Sequence, residues 1–238
     1  MFNFFSPTNI FLALSKIQKF INSIFFPILI VSLVFALILS PADHIQGDAM
    51  RIMYVHVPSA WLGLACFSAI TVLSISAFIF KIKNFFYINK SLAPIGLFFT
   101  FLAIVTGSLW GVPTWGTWWV WDARLTSMMV LMFFYIIYIL CFKLIKKEQL
   151  LLKISSLIAI LGAINLPIIK YSVDWWTTLH QPASIKLGVS NSIHSSMMLP
   201  LLSMLLVLLL YGALIFLMKY KTCLLYTSDA ADDTPCVD

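Results

Sequence analysis

The feature that most constrains this chain is a series of long apolar segments without charged side chains. The first of them, residues 20–42, has 23 residues and follows Lys16 and Lys19. A helix needs about 20 apolar residues to cross a bilayer, whereas the apolar core of a signal peptide has only about 7–15. The first segment is therefore predicted to be a retained membrane span.

Five further apolar segments have the same interpretation, and they cover residues 59–80, 92–110, 125–142, 150–169 and 197–218. The fifth of the six segments is the weakest, because it contains Lys153, Asn165 and Pro167. Only 10% of the residues are charged, against about 25% in a soluble domain, and this excludes a soluble enzyme. The predicted fold class is all-α: a polytopic membrane protein with six transmembrane helices, forming one domain over residues 1–221.

The distribution of basic residues predicts the orientation. Six spans place 11 of the 15 Lys and Arg residues on one side, namely Lys16, Lys19, Lys81, Lys83, Lys90, Lys143, Lys146, Lys147, Lys153, Lys219 and Lys221. Because cytoplasmic loops carry the excess of basic residues, both termini are predicted to be cytoplasmic. The outer loops are then residues 41–58, 111–124 and 170–196. The formal net charge of +6 reflects this topology and does not indicate nucleic-acid binding.

Residues 222–238 differ from the rest of the chain, since they contain four of its nine acidic residues. The segment CLLYTSDAADD resembles the in-frame translation of an adapter used in sequencing libraries. These residues are therefore predicted to be a non-native tail. A short acidic disordered tail is the alternative.

The sequence carries none of the common redox or nucleotide-hydrolysing motifs. Its four cysteines form no CxxC pair, which argues against thioredoxin-like chemistry and a zinc ribbon. It has no GxxxxGK[ST] phosphate loop, so the chain is not itself an ATPase. The expected role is binding or transfer and not enzymatic catalysis.

Tryptophan and histidine collect on the predicted outer side. All eight tryptophans and all four histidines lie in or beside the outer loops, and five tryptophans fall between residues 110 and 121. Interfacial aromatic belts normally decorate both membrane surfaces. The one-sided set therefore indicates a binding surface, with a simple aromatic belt as the alternative.

The densest aromatic segment, residues 110–127, reads WGVPTWGTWWVWDARLTS. Gly111, Pro113 and Gly116 predict a turn or loop in its first part. If the following residues are helical, one helix face carries Trp115, Trp118, Trp119 and Asp122. Such an aromatic shelf suits a large flat apolar ligand, although a platform for another protein has the same appearance.

Two histidines flank the aromatic segment along the chain. His56 lies in YVHVPSAW, where Pro58 and Ser59 are expected to mark a helix start. His180 lies in YSVDWWTTLHQ, behind a second aromatic pair. Neutral imidazole is a good iron ligand, and two histidines on opposite faces of a planar macrocycle would hold heme. The alternative is that each is an ordinary polar residue at the lipid headgroups.

Arg51 and Arg124 are the only arginines, and both are predicted to lie outside. Arginine binds carboxylates through a bidentate fork, so both are candidate partners for heme propionates. The alternatives are that Arg124 pairs with Asp122 and that Arg51 meets lipid headgroups.

The aromatic segment also carries a resemblance to a known family. WGTWWVWDARLTS resembles the tryptophan-rich WWD signature of the heme-handling proteins of cytochrome c maturation. Among them, the length and six-span layout are similar to the heme exporter protein C family of the bacterial maturation system called System I. The resemblance covers roughly residues 40–215 and includes RIMYVHVPSAW, APIGLFFTFLAIVTGSLWG and NLPIIKYSVDWWTTLHQ.

The resemblance implies specific roles for residues of this chain. His56 and His180 are expected to be the axial ligands of heme b. The residues expected to contact the cofactor are Trp115, Gly116, Trp118, Trp119, Trp121, Asp122, Arg124, Arg51, Trp175 and Trp176. His44 and His194 match no ligand position.

The resemblance also implies a cellular role in the bacterial inner membrane. Heme would be presented on the periplasmic face to a periplasmic heme chaperone. A small single-span membrane subunit and an ATP-binding-cassette transporter complex would be the further partners, beside membrane lipid. Two other functions stay open: a bis-histidine b-type electron carrier and a membrane assembly scaffold that holds no heme.

Overall fold

The computed structural model describes residues 7–180 and 193–229. These residues form six long helices: α1 (Pro7–Val34), α2 (Met53–Phe80), α3 (Lys83–Trp115), α4 (Ala123–Leu144), α5 (Glu148–Trp175) and α6 (Ser195–Asp229). Each of the six is long and apolar enough to cross a membrane. The all-α, six-span prediction is therefore confirmed. Residues 222–229 of the predicted tail continue α6, and residues 230–238 lie outside the described residues.

The predicted start of the second span at Pro58 and Ser59 is wrong. A 3₁₀ turn, Asp48–Ile52, leads directly into α2, and Pro58 lies inside that helix. Met50 and Tyr54 are only 3% and 1% exposed, and they pack in one cluster with residues of α6. This burial extends the helix toward the N-terminus, so that α2 begins before Pro58. The proline is tolerated because it falls close to the helix start. His56 therefore lies on a helix and not in a loop.

The predicted turn at the start of the aromatic segment is also placed differently. Gly111 and Pro113 lie inside α3, which continues to Trp115. Gly116 then ends the helix with φ of 74°, a left-handed conformation that glycine adopts without strain. Residues 116–122 are not helical. The helix face expected to carry Trp115, Trp118, Trp119 and Asp122 is therefore not formed.

The helices pack as a four-helix ring with two helices outside it. In the ring α2 packs on α3 and α5, and α4 packs on both α3 and α5. Its core contains the fully buried Phe67, Leu131 and Tyr135. The Tyr135 hydroxyl donates a 2.7 Å hydrogen bond to the carbonyl of Gly63, which ties α4 to α2. Outside the ring, α6 packs on α2 and α3, and α1 packs on α6.

The end of α1 is joined to the start of α2 by Arg51. After Val34 the helix widens into a π-helical turn, Phe35–Leu39. The Arg51 guanidinium donates to the carbonyls of Ala36 and Leu37 in this turn. It also forms a 2.9 Å ion pair with Asp48. Arg51 thus satisfies carbonyl groups that a helix end leaves without partners.

Candidate ligand-binding site

A cavity of about 720 Å³ lies at the end of the ring that carries both histidines. Its walls come from α2, α3, α4 and α5, with Leu201 of α6 on one side. Pockets for small molecules and cofactors usually measure about 300–1,000 Å³ and are mainly apolar with a few polar groups.

His56 is held by α3. Its Nδ1 donates to the carbonyl of Ala103 at 2.9 Å and lies 3.3 Å from the hydroxyl of Thr106. Because a carbonyl only accepts, Nδ1 carries the proton and Nε2 keeps its lone pair. A histidine whose Nδ1 is fixed by a backbone carbonyl in this way is in the form that ligates metals through Nε2.

The position of the His56 imidazole depends on Gly107 of α3. A Cβ atom added at Gly107 would lie 2.8 Å from Cε1 of His56 and 3.2 Å from its Nδ1. These separations are shorter than normal contacts, so α3 approaches the imidazole closely only because residue 107 has no side chain. Gly107 therefore sets the position of the ring.

Trp110 fixes another side of His56. The two rings meet edge to face, with centroids 5.8 Å apart and an angle of 73° between their planes. The indole N–H of Trp110 donates to Oε1 of Gln46 at 2.9 Å. Gln46 in turn belongs to a tight turn in which Asp43 Oδ1 accepts the backbone N–H groups of Ile45 and Gln46. These hydrogen bonds hold the pKa of Asp43 below its ordinary value.

His180 is held through the acidic residue of the aromatic segment. Asp122 begins α4, and its Oδ1 accepts the backbone N–H of Leu125 at 2.7 Å. Its other oxygen accepts the Thr178 hydroxyl at 2.7 Å. The Thr178 oxygen accepts the backbone N–H of His180 at 2.8 Å. Asp122 and Thr178 thus fix the backbone of residue 180 against the start of α4.

The two histidines face the same space. The centroids of the His56 and His180 rings are 6.4 Å apart, and their planes differ by 35°. Trp115 lies beside them, with its ring centroid 6.0 Å from that of His180. The two imidazoles therefore form a pair although 124 residues separate them along the chain.

Arg124 lies at the same end of the cavity. Its guanidinium donates to the Ser172 hydroxyl and to the Lys170 carbonyl, both at 3.2 Å. It also donates to Nδ1 of His180 at 3.4 Å, so the lone pair of the neutral His180 ring is on Nδ1, and His180 would offer a metal this nitrogen once the contact with Arg124 is released. The alternative of a local pair with Asp122 is not what forms in the described residues, since that carboxylate accepts from Leu125 and Thr178.

Trp119 contributes a buried donor without an acceptor. Its ring lines the cavity, and its indole Nε1 has no hydrogen-bond partner in the part of the chain that the structure describes. An unsatisfied buried N–H costs about 1–3 kcal/mol, so such a group in a cavity wall points to an acceptor on a ligand.

The structure brings together only some of the residues predicted for the site. The ones that line the cavity are His56, His180, Trp115, Trp119 and Arg124. Trp118, Trp121, Trp175 and Trp176 are 60%, 75%, 56% and 50% exposed and are not lining residues. Gly116 ends α3 through its backbone, and Asp122 caps α4 through its carboxylate.

Arg51 is the predicted site residue whose position departs most from expectation. It is not among the cavity-lining residues, and its guanidinium is engaged by Asp48 and by the end of α1. The expected contact between Arg51 and a ligand carboxylate is therefore not supported by this geometry. His44 and His194 are exposed and also do not line the cavity.

Several residues of the site could not be found by reading motifs. Gln46, Thr106 and Gly107 act only through contacts between segments that are distant in sequence. Thr178 gave a weak sequence signal for a role in positioning His180, because a threonine can accept the backbone N–H of the residue two positions later. Lys170, at the cavity edge, had none.

Comparisons with known proteins identify the family of the chain. The family described as Heme exporter protein C matches residues 1–234. Among curated proteins, Heme exporter protein C of Bradyrhizobium diazoefficiens is 43% identical over 166 residues, which cover 70% of this chain and 63% of that protein. The chain thus spans somewhat less than two thirds of the length of this relative.

Two further relatives extend the comparison. Heme exporter protein C of Escherichia coli (strain K12) is 40% identical over 186 residues, covering 78% of this chain and 75% of that protein. A putative cytochrome c biosynthesis ccmC-like mitochondrial protein of Arabidopsis thaliana is 42% identical over 189 residues, covering 78% of this chain and 70% of that protein. With six apolar helices, a histidine pair and a family match over most of its length, this chain belongs to the heme exporter protein C family.

Proposed function

We propose that this chain binds heme b between His56 and His180 and delivers it to a periplasmic heme chaperone for c-type cytochrome biogenesis. The observation that carries the proposal is the 6.4 Å separation of the two imidazole centroids. Neutral imidazole is a good iron ligand, so two imidazoles that face one cavity at this spacing would hold the iron of heme between them.

The other cavity residues fit the remaining parts of heme. Trp115 and Trp119 offer aromatic surface to a flat macrocycle. The indole N–H of Trp119 and the guanidinium of Arg124 are donors suited to propionate carboxylates. Heme supplies the iron and the reactive vinyl groups, while the chain's own residues bind and orient it.

The cellular setting of the proposal follows from charge and from the relatives. The positive-inside distribution supports cytoplasmic termini and a periplasmic cavity in the bacterial inner membrane. The relatives are named heme exporter proteins, which supports a transporter complex with an ATP-binding cassette as partner. A small single-span subunit and membrane lipid complete the proposed surroundings, and residues 222–238 are proposed to be a non-native tail.

An absorption spectrum of the purified full chain tests this function. We expect a low-spin Soret band in the oxidised and reduced protein that disappears when the chaperone is added and takes up the heme. A redox-active bis-histidine spectrum without transfer to the chaperone would instead favour a b-type electron carrier. A chain with no Soret band after heme addition would favour an assembly scaffold.

Replacing Thr178 with valine should weaken heme binding without unfolding the protein. The change removes both the donor to Asp122 and the acceptor for the backbone N–H of His180. Partners that orient a metal ligand typically contribute about 10–100-fold to affinity, so we expect a heme dissociation constant at least about tenfold higher. Thr177→Val is the matched control, because the neighbouring Thr177 is exposed. Equal affinities for the two variants, measured by heme titration, would contradict the role of Thr178.

A further inference from the structure

The cavity extends from the histidines along α2 toward the middle of the membrane. Its wall on this helix includes His56, Trp61, Leu64 and Ser68. At a rise of about 1.5 Å per residue, the 12 residues from His56 to Ser68 span about 18 Å. Because α2 runs from Met53 to Phe80, Ser68 lies near its midpoint. The cavity is therefore a long groove and not only a shallow site at the membrane surface.

The groove is open on one side. Both α5 and α6 pack on α2, yet over their described residues they do not form an extensive contact with each other. Between them Ser68 of α2 is exposed, as are Pro167 and Tyr171 of α5, and all three line the cavity. Ser68 lies near the middle of its transmembrane helix, where an exposed residue faces lipid. The gap between α5 and α6 thus connects the histidine pair with the bilayer.

The chemistry of the groove changes along its length. Its charged lining residues, Arg124 and Lys170, both lie at the histidine end. Toward the membrane midpoint the lining consists of Leu64, Leu166 and other apolar residues, with Ser68 as a polar exception. The Ser68 hydroxyl donates to the carbonyl of Leu64 and so presents no free donor. This polarity suits a flat ligand with carboxylates on one edge and an apolar opposite edge.

Heme in a bilayer has the same polarity. Its propionates stay at the headgroups and its apolar edge lies among the acyl chains, as for any amphipathic molecule in lipid. A heme moving sideways through the gap would therefore reach the histidines without turning over, with its carboxylates approaching Arg124 and Lys170. The described lining carries charged side chains only at the histidine end, so the apolar part of the path places no charged side chain in contact with the moving heme.

We propose that the gap between α5 and α6 is a lateral opening through which heme moves from the outer leaflet of the bilayer to the histidine pair. This inference rests on the proposed heme-binding function. A phospholipid acyl chain and a transmembrane helix of a partner protein are the other occupants that such an apolar groove could accept, and the experiment below distinguishes them.

Bulky substitutions at Ser68 test the opening. Heme-free full-length protein is reconstituted into phosphatidylethanolamine–phosphatidylglycerol vesicles preloaded with hemin, and the appearance of the bis-histidine Soret band is followed in time. We expect Ser68→Trp to slow loading by about tenfold or more, because the indole fills the gap. Ser68→Leu should give an intermediate rate. The final spectrum should still show bis-histidine ligation, because Ser68 lies about 18 Å along α2 from His56.

Ala65→Trp is the matched control. Ala65 lies on the same helix, is exposed and does not line the cavity. Equal loading rates for Ser68→Trp and Ala65→Trp would overturn the lateral opening. The proposal would also be overturned if Ser68→Trp loaded heme at an unchanged rate but lost a copurifying phospholipid or partner subunit. The groove would then hold that molecule. Failure of the unsubstituted chain to give any bis-histidine spectrum would instead refute the proposed function itself.

Discussion

Replacing either His56 or His180 with alanine should abolish the low-spin bis-histidine spectrum of heme in the purified protein. The two ring centroids lie 6.4 Å apart in one cavity, so each imidazole would supply one ligand to the iron and neither could replace the other. Loss of a group that merely orients a ligand typically costs about 10–100-fold in metal affinity, and loss of the ligand itself should exceed this. We therefore expect a dissociation constant higher by more than about a hundredfold, measured by heme titration.

His44→Ala is the control for this prediction, because the His44 side chain is 87% exposed and outside the cavity. Added imidazole should restore a low-spin spectrum to the His56→Ala and His180→Ala proteins, since a free imidazole fits the space left by the missing ring. Rescue of this kind separates a ligand role from a folding role. Unchanged spectra in both alanine variants would rule out this pair as the iron ligands.

Gly107→Ala should remove heme binding although residue 107 is not itself a ligand. The new Cβ would lie 2.8 Å from Cε1 of His56, so the imidazole must move away from its bond to the Ala103 carbonyl. Overpacking of this kind typically costs about 1–3 kcal/mol of stability. We expect a lower free energy of unfolding by about this amount, together with a loss of the bis-histidine spectrum comparable to that of His56→Ala.

A double-mutant cycle checks the cause of this effect. In a His56→Ala background the clash is absent, so Gly107→Ala should have little further effect on stability. Ser108→Ala, at the neighbouring cavity residue, should be close to neutral and serves as the control. Additive effects of the two substitutions on the free energy of unfolding would show that Gly107 and His56 are not coupled.

The helix boundaries show how far local sequence signals reach. Uncharged segments predicted six helices, and six are present in the described residues. Yet Pro58 did not start α2 and Pro113 did not end α3, because both prolines lie within helices that packing extends. By contrast, Gly116 ends α3 as a glycine signal predicts, through its left-handed backbone. Local signals gave the number of helices but not their ends.

The aromatic segment shows a similar division. The sequence placed five tryptophans together but could not tell which of them face a ligand. Because residues 116–122 are not helical, Trp115 and Trp119 line the cavity while Trp118 and Trp121 are exposed. Arg51 does not line the cavity for a related reason, since its guanidinium is engaged by the end of α1.

The sequence by itself determined the membrane class, the six helices and the family, because charge depletion and a specific motif are properties of the chain alone. It also identified both histidines through the resemblance. Only the tertiary structure decided that their rings face each other at 6.4 Å, that Gly107 and Thr178 hold them there, and that the cavity opens between α5 and α6. The physical reason is that each of these features is a contact between separate helices or loops, and no local pattern encodes the distance between two such elements.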